Sequence, residues 1–142
     1  MQHSGAGLLK GSARTYIWQE YTGENLNETK VVTRNLKETP TERGSCGMRR
    51  RLITEKDSDS VAFSHLKISD AKKHYHEKTT EFYYVLKGEG WLETDDGSIP
   101  LTEGTMVMIR PGVGHRAVSS GELEVLIAMS PPYGENIDQL FI

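Results

Sequence analysis

The stretch His74-Tyr75-His76-Glu77-Lys78-Thr79-Thr80-Glu81-Phe82-Tyr83-Tyr84-Val85-Leu86-Lys87-Gly88 sets two histidines one residue apart, then a glutamate that opens an apolar run. In an extended strand, side chains at i and i+2 share a face, so His74 and His76 project together. The same alternation sends Tyr83 and Val85 to the side of Glu81, and Phe82, Tyr84 and Leu86 to the other. A lone histidine far downstream, His115, follows a turn at Pro111-Gly112. Three neutral imidazoles and one carboxylate form a ready ligand set for a first-row transition metal. Glu81 and His115 both sit where a strand meets a loop, ordinary geometry for a site at the mouth of a barrel.

Working outward, the chain from Val31 onward is a series of short apolar stretches: Val31-Val32, Met48 to Ile53, Val61 to Ile68, Phe82 to Leu86, Trp91 to Glu93, Met106 to Ile109 and Leu123 to Met129. Turn formers separate them: Lys56-Asp57-Ser58-Asp59-Ser60, Lys87-Gly88-Glu89-Gly90, Asp95-Asp96-Gly97-Ser98 and Ser119-Ser120-Gly121. This is strand punctuation without helix periodicity, and it predicts an all-β barrel or sandwich. Asp96-Gly97 reads as the tip of a hairpin. Residues 1–30 are rich in Gly, Ser, Asn and Thr around Tyr16-Ile17-Trp18 and Tyr21, which predicts an N-terminal arm with one anchored segment. Residues 31–142 are then one barrel domain. No internal repeat, phosphate-binding glycine loop, Cys-x-x-Cys pair or serine-nucleophile elbow is present.

Composition narrows the partners. With 142 residues and 36% hydrophobic content the chain suits a single domain with a real core. Lys plus Arg number 17 against 20 for Asp plus Glu, a net charge of -3 that is too balanced for a nucleic-acid surface. The expected partner is a small molecule. A single cysteine, Cys46, permits no intramolecular disulfide, and no apolar run approaches the length of a membrane span. A cytoplasmic protein without membrane contact is the expectation.

At its histidines the chain resembles the cupin superfamily, small double-stranded β-helix (jelly-roll) barrels marked by two sequence motifs. In the first, G-x5-H-x-H-x3–4-E-x6-G, His74, His76, Glu81 and Gly88 fall in register, with Ile68 in place of the leading glycine. In the second, G-x5-P-x-G-x2-H-x3-N, Gly104, Gly112 and His115 match, while Arg110 replaces the proline and Ser119 the asparagine. Neither replacement removes a ligand. The resemblance implies a compact single-domain cupin in which His74, His76, Glu81 and His115 bind one divalent ion, with Fe, Mn, Ni, Zn, Co and Cu all compatible. It also implies pairing into a homodimer, for which Phe82, Tyr84 and Trp91 are candidate outward residues.

Three functions fit this expectation. The leading one is a dioxygenase with a three-histidine, one-glutamate site. The second is a non-redox sugar isomerase, epimerase or lyase, and the third a non-catalytic barrel that binds a small molecule such as a sugar. Glu81 is the candidate catalytic base, because a carboxylate can leave a metal and accept a proton. Tyr83 is either a substrate-facing hydroxyl or a core tyrosine. Arg49 and Arg51 share one face of their strand and Arg50 takes the other, so the run either presents a cation to an anionic substrate or forms a solvated edge. His65 reads as a non-ligand and Cys46 as an unreactive thiol.

Overall fold

The computed structural model describes residues 31–134 and 137–142; the arm expected over 1–30 lies outside the described residues. Among the described residues every regular element is a strand: β1 (Glu42–Gly44), β2 (Gly47–Ile53), β3 (Ala62–Ile68), β4 (His74–Tyr75), β5 (Thr80–Thr94), β6 (Gly97–Leu101), β7 (Met106–Ile109), β8 (His115–Ser130) and β9 (Leu140–Phe141).

The two longest strands organise the rest. β5 and β8 run antiparallel from the Thr80–Ser130 pair to the Thr94–His115 pair, with irregularities between Val85 and Lys87 and between Gly88 and Gly90. Gly88 has φ +79°, and a Cβ there would lie 1.9 Å from the Glu122 carbonyl oxygen. No other residue fits, so the last glycine of the first motif is where the strand bends. On one side of the bend β5 also pairs with β7, and on the other with β6. β3 lies along the second half of β8, followed by β2 and β1, while β4 joins the start of β8 through the His74–His115 pair and is covered by β9. The curled antiparallel sheet is the jelly-roll barrel that the motifs imply.

Two expectations change. Lys87-Gly88-Glu89-Gly90 and Ser119-Ser120-Gly121, read as loops between strands, are bends inside continuous β5 and β8. Val31-Val32 lies in irregular chain rather than in a strand. The Asp96-Gly97 hairpin does form, with Thr94 paired to Gly97.

Alternation along β5 is as expected. Glu81, Tyr83 and Val85 are buried, and Tyr84 and Leu86 are exposed on the outer face. Tyr83 and Val85 join Leu66, Ile68, Leu92, Leu101, Ile109, Leu123, Val125 and Ile127 in one core, each large aliphatic side chain contributing about 1.5–3 kcal/mol by leaving water. Ile68, in the motif's glycine position, is the last residue of β3 and part of this core. The following turn instead takes its left-handed residue at Asp70, with φ +52°. Met106 and Met108 point outward and are exposed, so they fill neither core nor cavity.

Candidate metal centre

The site is built where four chain segments meet at one end of the barrel. β4 supplies His74, the loop after it His76, the start of β5 Glu81, and the first residue of β8 His115. All four are buried, and their ligand atoms lie within 4.8 Å of one another. The Pro111-Gly112 turn is tied to this cluster, since the Gly112 N–H donates to the His76 carbonyl at 2.7 Å. Gly112 adopts φ +85°, which explains the glycine required in the second motif.

Each imidazole is oriented by the backbone. Nδ1 of His74 donates to Lys72 O at 2.8 Å, Nδ1 of His115 donates to Val113 O at 2.8 Å, and Nδ1 of His76 donates to Asp138 O. A ring that donates through Nδ1 in its neutral form carries its lone pair on Nε2. Three such lone pairs are therefore gathered around a carboxylate. Oε2 of Glu81 lies 3.0 Å from His115 Nε2 and 3.3 Å from His76 Nε2. Lone pairs set against a carboxylate repel unless a cation is shared among them, whether a proton or a metal ion. His76 Nε2, although close to Glu81, is buried without an aligned hydrogen-bond partner. This orphaned nitrogen and the mixed imidazole–carboxylate donors fit a transition-metal ion, and the four residues could hold one.

The protein's own electrostatics point the same way. Burial pushes the Glu81 carboxyl upward, but His115 and His76 outweigh it and hold the group at about 2. Burial lowers the His74 pKa. At His76 burial acts in the same sense, yet the adjacent Glu81 carboxylate reverses it and the net direction is upward. Glu81 is thus ionised across neutral pH, as a metal ligand must be.

Beside the cluster is a cavity of about 40 Å³, lined by His74, Glu81, Tyr83, Arg49, Tyr133 and Gln139 among others. That is room for a few water-sized groups. Tyr83 donates from its hydroxyl to Glu81 Oε2 at 3.3 Å, and burial pushes its own pKa well up, so it stays a neutral donor. Cys46 lines the same cavity, and burial raises its thiol to about 11, consistent with an unreactive group. His65 lies outside the cluster, 2.8 Å from Glu124 Oε2.

Sequence reading did not find Tyr133 or Asp138. The Tyr133 ring stacks on His76 with centroids 5.7 Å apart. Asp138 accepts the backbone N–H groups of Glu77, Lys78 and Thr79 at 2.8–2.9 Å while its own carbonyl holds His76. Pro131-Pro132 marks a loop before these residues but gives no sign of what they contact.

Residues 67–129 match the Cupin domain family, and the chain contains a small cupin-superfamily domain. A structurally similar protein from Planctomyces limnophilus is 31% identical, with a TM-score of 0.67 over 75% of this chain and 93% of that one. An RmlC-like cupin from Shewanella frigidimarina, 19% identical, superposes with a TM-score of 0.62 over 74% of this chain and 95% of its own, which shows the shared fold. A glucose-6-phosphate isomerase of Thermococcus onnurineus is 40% identical over 58 residues, and the match spans 36% of this chain and 31% of that relative. No helix among the described residues is long and apolar enough to cross a membrane.

Proposed function

We propose that this cupin is a metal-dependent enzyme of the isomerase type, acting on a small molecule that carries a hydroxyl beside a carbonyl. The observation that carries the reading is the division of labour within Glu81. Its Oε2 faces His76 and His115 and accepts from the Tyr83 hydroxyl, while Glu81 also lines the cavity, and the reading assigns the other carboxylate oxygen, Oε1, to the substrate there. The local similarity to a glucose-6-phosphate isomerase supports the same class.

A divalent ion bound by His74, His76, Glu81 and His115 would act as a Lewis acid that polarises the carbonyl. Glu81, ionised at neutral pH, accepts the proton from the carbon bearing the hydroxyl through Oε1 and returns it to the neighbouring carbon, while the hydroxyl proton passes to the former carbonyl oxygen, so that hydroxyl and carbonyl exchange places with no net gain or loss of protons. Tyr83 donates to Oε2 and fixes the carboxylate's rotation so that Oε1 stays directed to the cavity. Tyr133 forms part of the wall and keeps the His76 ring in place by stacking. The dioxygenase reading draws on the same donor set alone.

The test is metal analysis of the protein purified without chelators, followed by assay of the Zn(II)-loaded protein against hydroxy-aldehydes and hydroxy-ketones in D2O. Deuterium entering the carbon beside the carbonyl, equally in air and under argon, is the expected result. Turnover that requires a redox metal and consumes oxygen would replace this reading with the dioxygenase one.

A further inference from the structure

We infer that Arg49 anchors an oxyanion of the substrate, so that the reaction's natural substrates are small carboxylates or phosphate esters rather than neutral sugars. The inference rests on the proposed function, since it names the substrate class of that same cavity.

Arg49 is paired with Leu66 across β2 and β3, and Leu66 belongs to the core, so both side chains lie on the inner face of the barrel. An arginine in that position is directed to the cavity, and Arg49 is one of its lining residues. Of the three arginines in the run, Arg50 is held by Thr41 and the Leu36 carbonyl, and Arg51 by Glu55. Arg49 differs from both. Its Nε donates to Glu42 Oε1 at 2.6 Å, while its two Nη groups have no partner among the described residues. A guanidinium held at Nε and open at its far end is an oriented fork for a planar or tetrahedral oxyanion.

The surroundings fit this use. Gly44 lets the arginine lie where it does, because a Cβ on that residue would come within 3.0 Å of Arg49 Cδ. The positive charge is felt inside the cavity, where Arg49 opposes the upward pKa shifts of Cys46 and Tyr133. Ser45, Ser64 and Gln139 line the same cavity and add polar groups, whereas its remaining charged groups belong to the donor cluster. A bound oxyanion would leave the rest of a short substrate to reach His74 and Glu81, which line the same cavity. At about 40 Å³ the cavity accommodates only a few heavy atoms, which favours a short molecule with its charge close to its hydroxy-carbonyl end.

The experiment is calorimetric titration of the Zn(II)-loaded parent, R49Q and R51Q, each first analysed for metal. The probes are lactate, its neutral counterpart lactamide, and inorganic phosphate. The parent is expected to bind at least one of the two anions, with lactamide on the order of 10–100-fold weaker, and R49Q to lose affinity by a similar factor while R51Q matches the parent. Lactate-selective binding assigns a carboxylate and phosphate-selective binding a phosphate ester. Anion affinity unchanged in R49Q, or an absence of anion binding by the metal-loaded parent, overturns the inference. Should the parent hold no metal, the metal reading fails by itself, and the same titration of the metal-free protein still decides on Arg49.

Discussion

Because Oε2 of Glu81 already faces two imidazole nitrogens and a phenol, what the site can do depends on keeping that oxygen charged and that carboxylate from turning. Glu81→Gln preserves size but removes the anionic donor that would join three imidazole lone pairs around a cation, so metal content is expected to fall well below one equivalent and turnover to vanish. Tyr83→Phe separates orientation from ligation. Its hydroxyl makes one long hydrogen bond, worth about 0.5–1.5 kcal/mol, so kcat should fall by up to about tenfold while metal content and KM stay near those of the parent. Metal analysis and steady-state kinetics on the two variants check both statements. A Tyr83→Phe protein that melts earlier but turns over normally would make Tyr83 a core residue and nothing more.

At the scale of elements, the site depends on a short C-terminal strap. β9 pairs with β4, the Ile142 N–H donates to Lys73 O at 3.1 Å, and the Asp138 carboxylate gathers three N–H groups from the loop that carries His76. Asp138→Ala leaves those donors without their acceptor, at a cost of about 1–3 kcal/mol, and loosens the carbonyl that orients His76. The expected outcome is a lower melting temperature together with metal affinity weaker by about 10–100-fold, read by titration against a competing chelator. An Asp138→Ala protein with parental affinity would show that the strap does not position the ligand. None of this was legible in the sequence, because β9 is two residues long and its contacts reach across some 60 positions with no local periodicity. The clustering of His74, His76, Glu81 and His115 was legible, since i, i+2 spacing in an extended chain and two spaced motifs fix which side chains meet. Tyr83 and Val85 were legible through alternation alone. The bends in β5 and β8 were misread as loops because a glycine that lets a strand kink looks, in sequence, the same as one that ends it.

For the whole molecule, two features concern how the barrel is closed and covered. Tyr84 and Leu86 on β5 and Met106 and Met108 on the adjacent β7 form one exposed apolar face, which we propose a second copy of the chain covers with the same face of its own. Light scattering should then give a dimer for the parent and a monomer for Tyr84→Glu/Met106→Glu, and an identical mass for both would remove this interface. The second feature is the latch that joins the chain's entry to the barrel. Arg34 reaches the Leu52 carbonyl at 2.8 Å and both carboxylate oxygens of Asp57 at 2.7 and 3.0 Å, while Thr54 donates its N–H and hydroxyl to Asp57. The Arg34 guanidinium holds the Asp57 carboxyl at about 2, below its ordinary 3.8. A carboxyl depressed in the folded state binds its proton more readily when unfolded, so the latch contributes fully above pH 3.8 and loses its contribution as pH falls through about 2. At pH 6 Asp57→Asn should cost about 1 kcal/mol, a drop of about 4 °C in melting temperature, because the pair is bidentate but near the surface. The gap between parent and variant should narrow as the melts are repeated from pH 4 down to pH 2, whereas a gap that stays constant over that window would mean the latch holds by shape and hydrogen bonding without its charge.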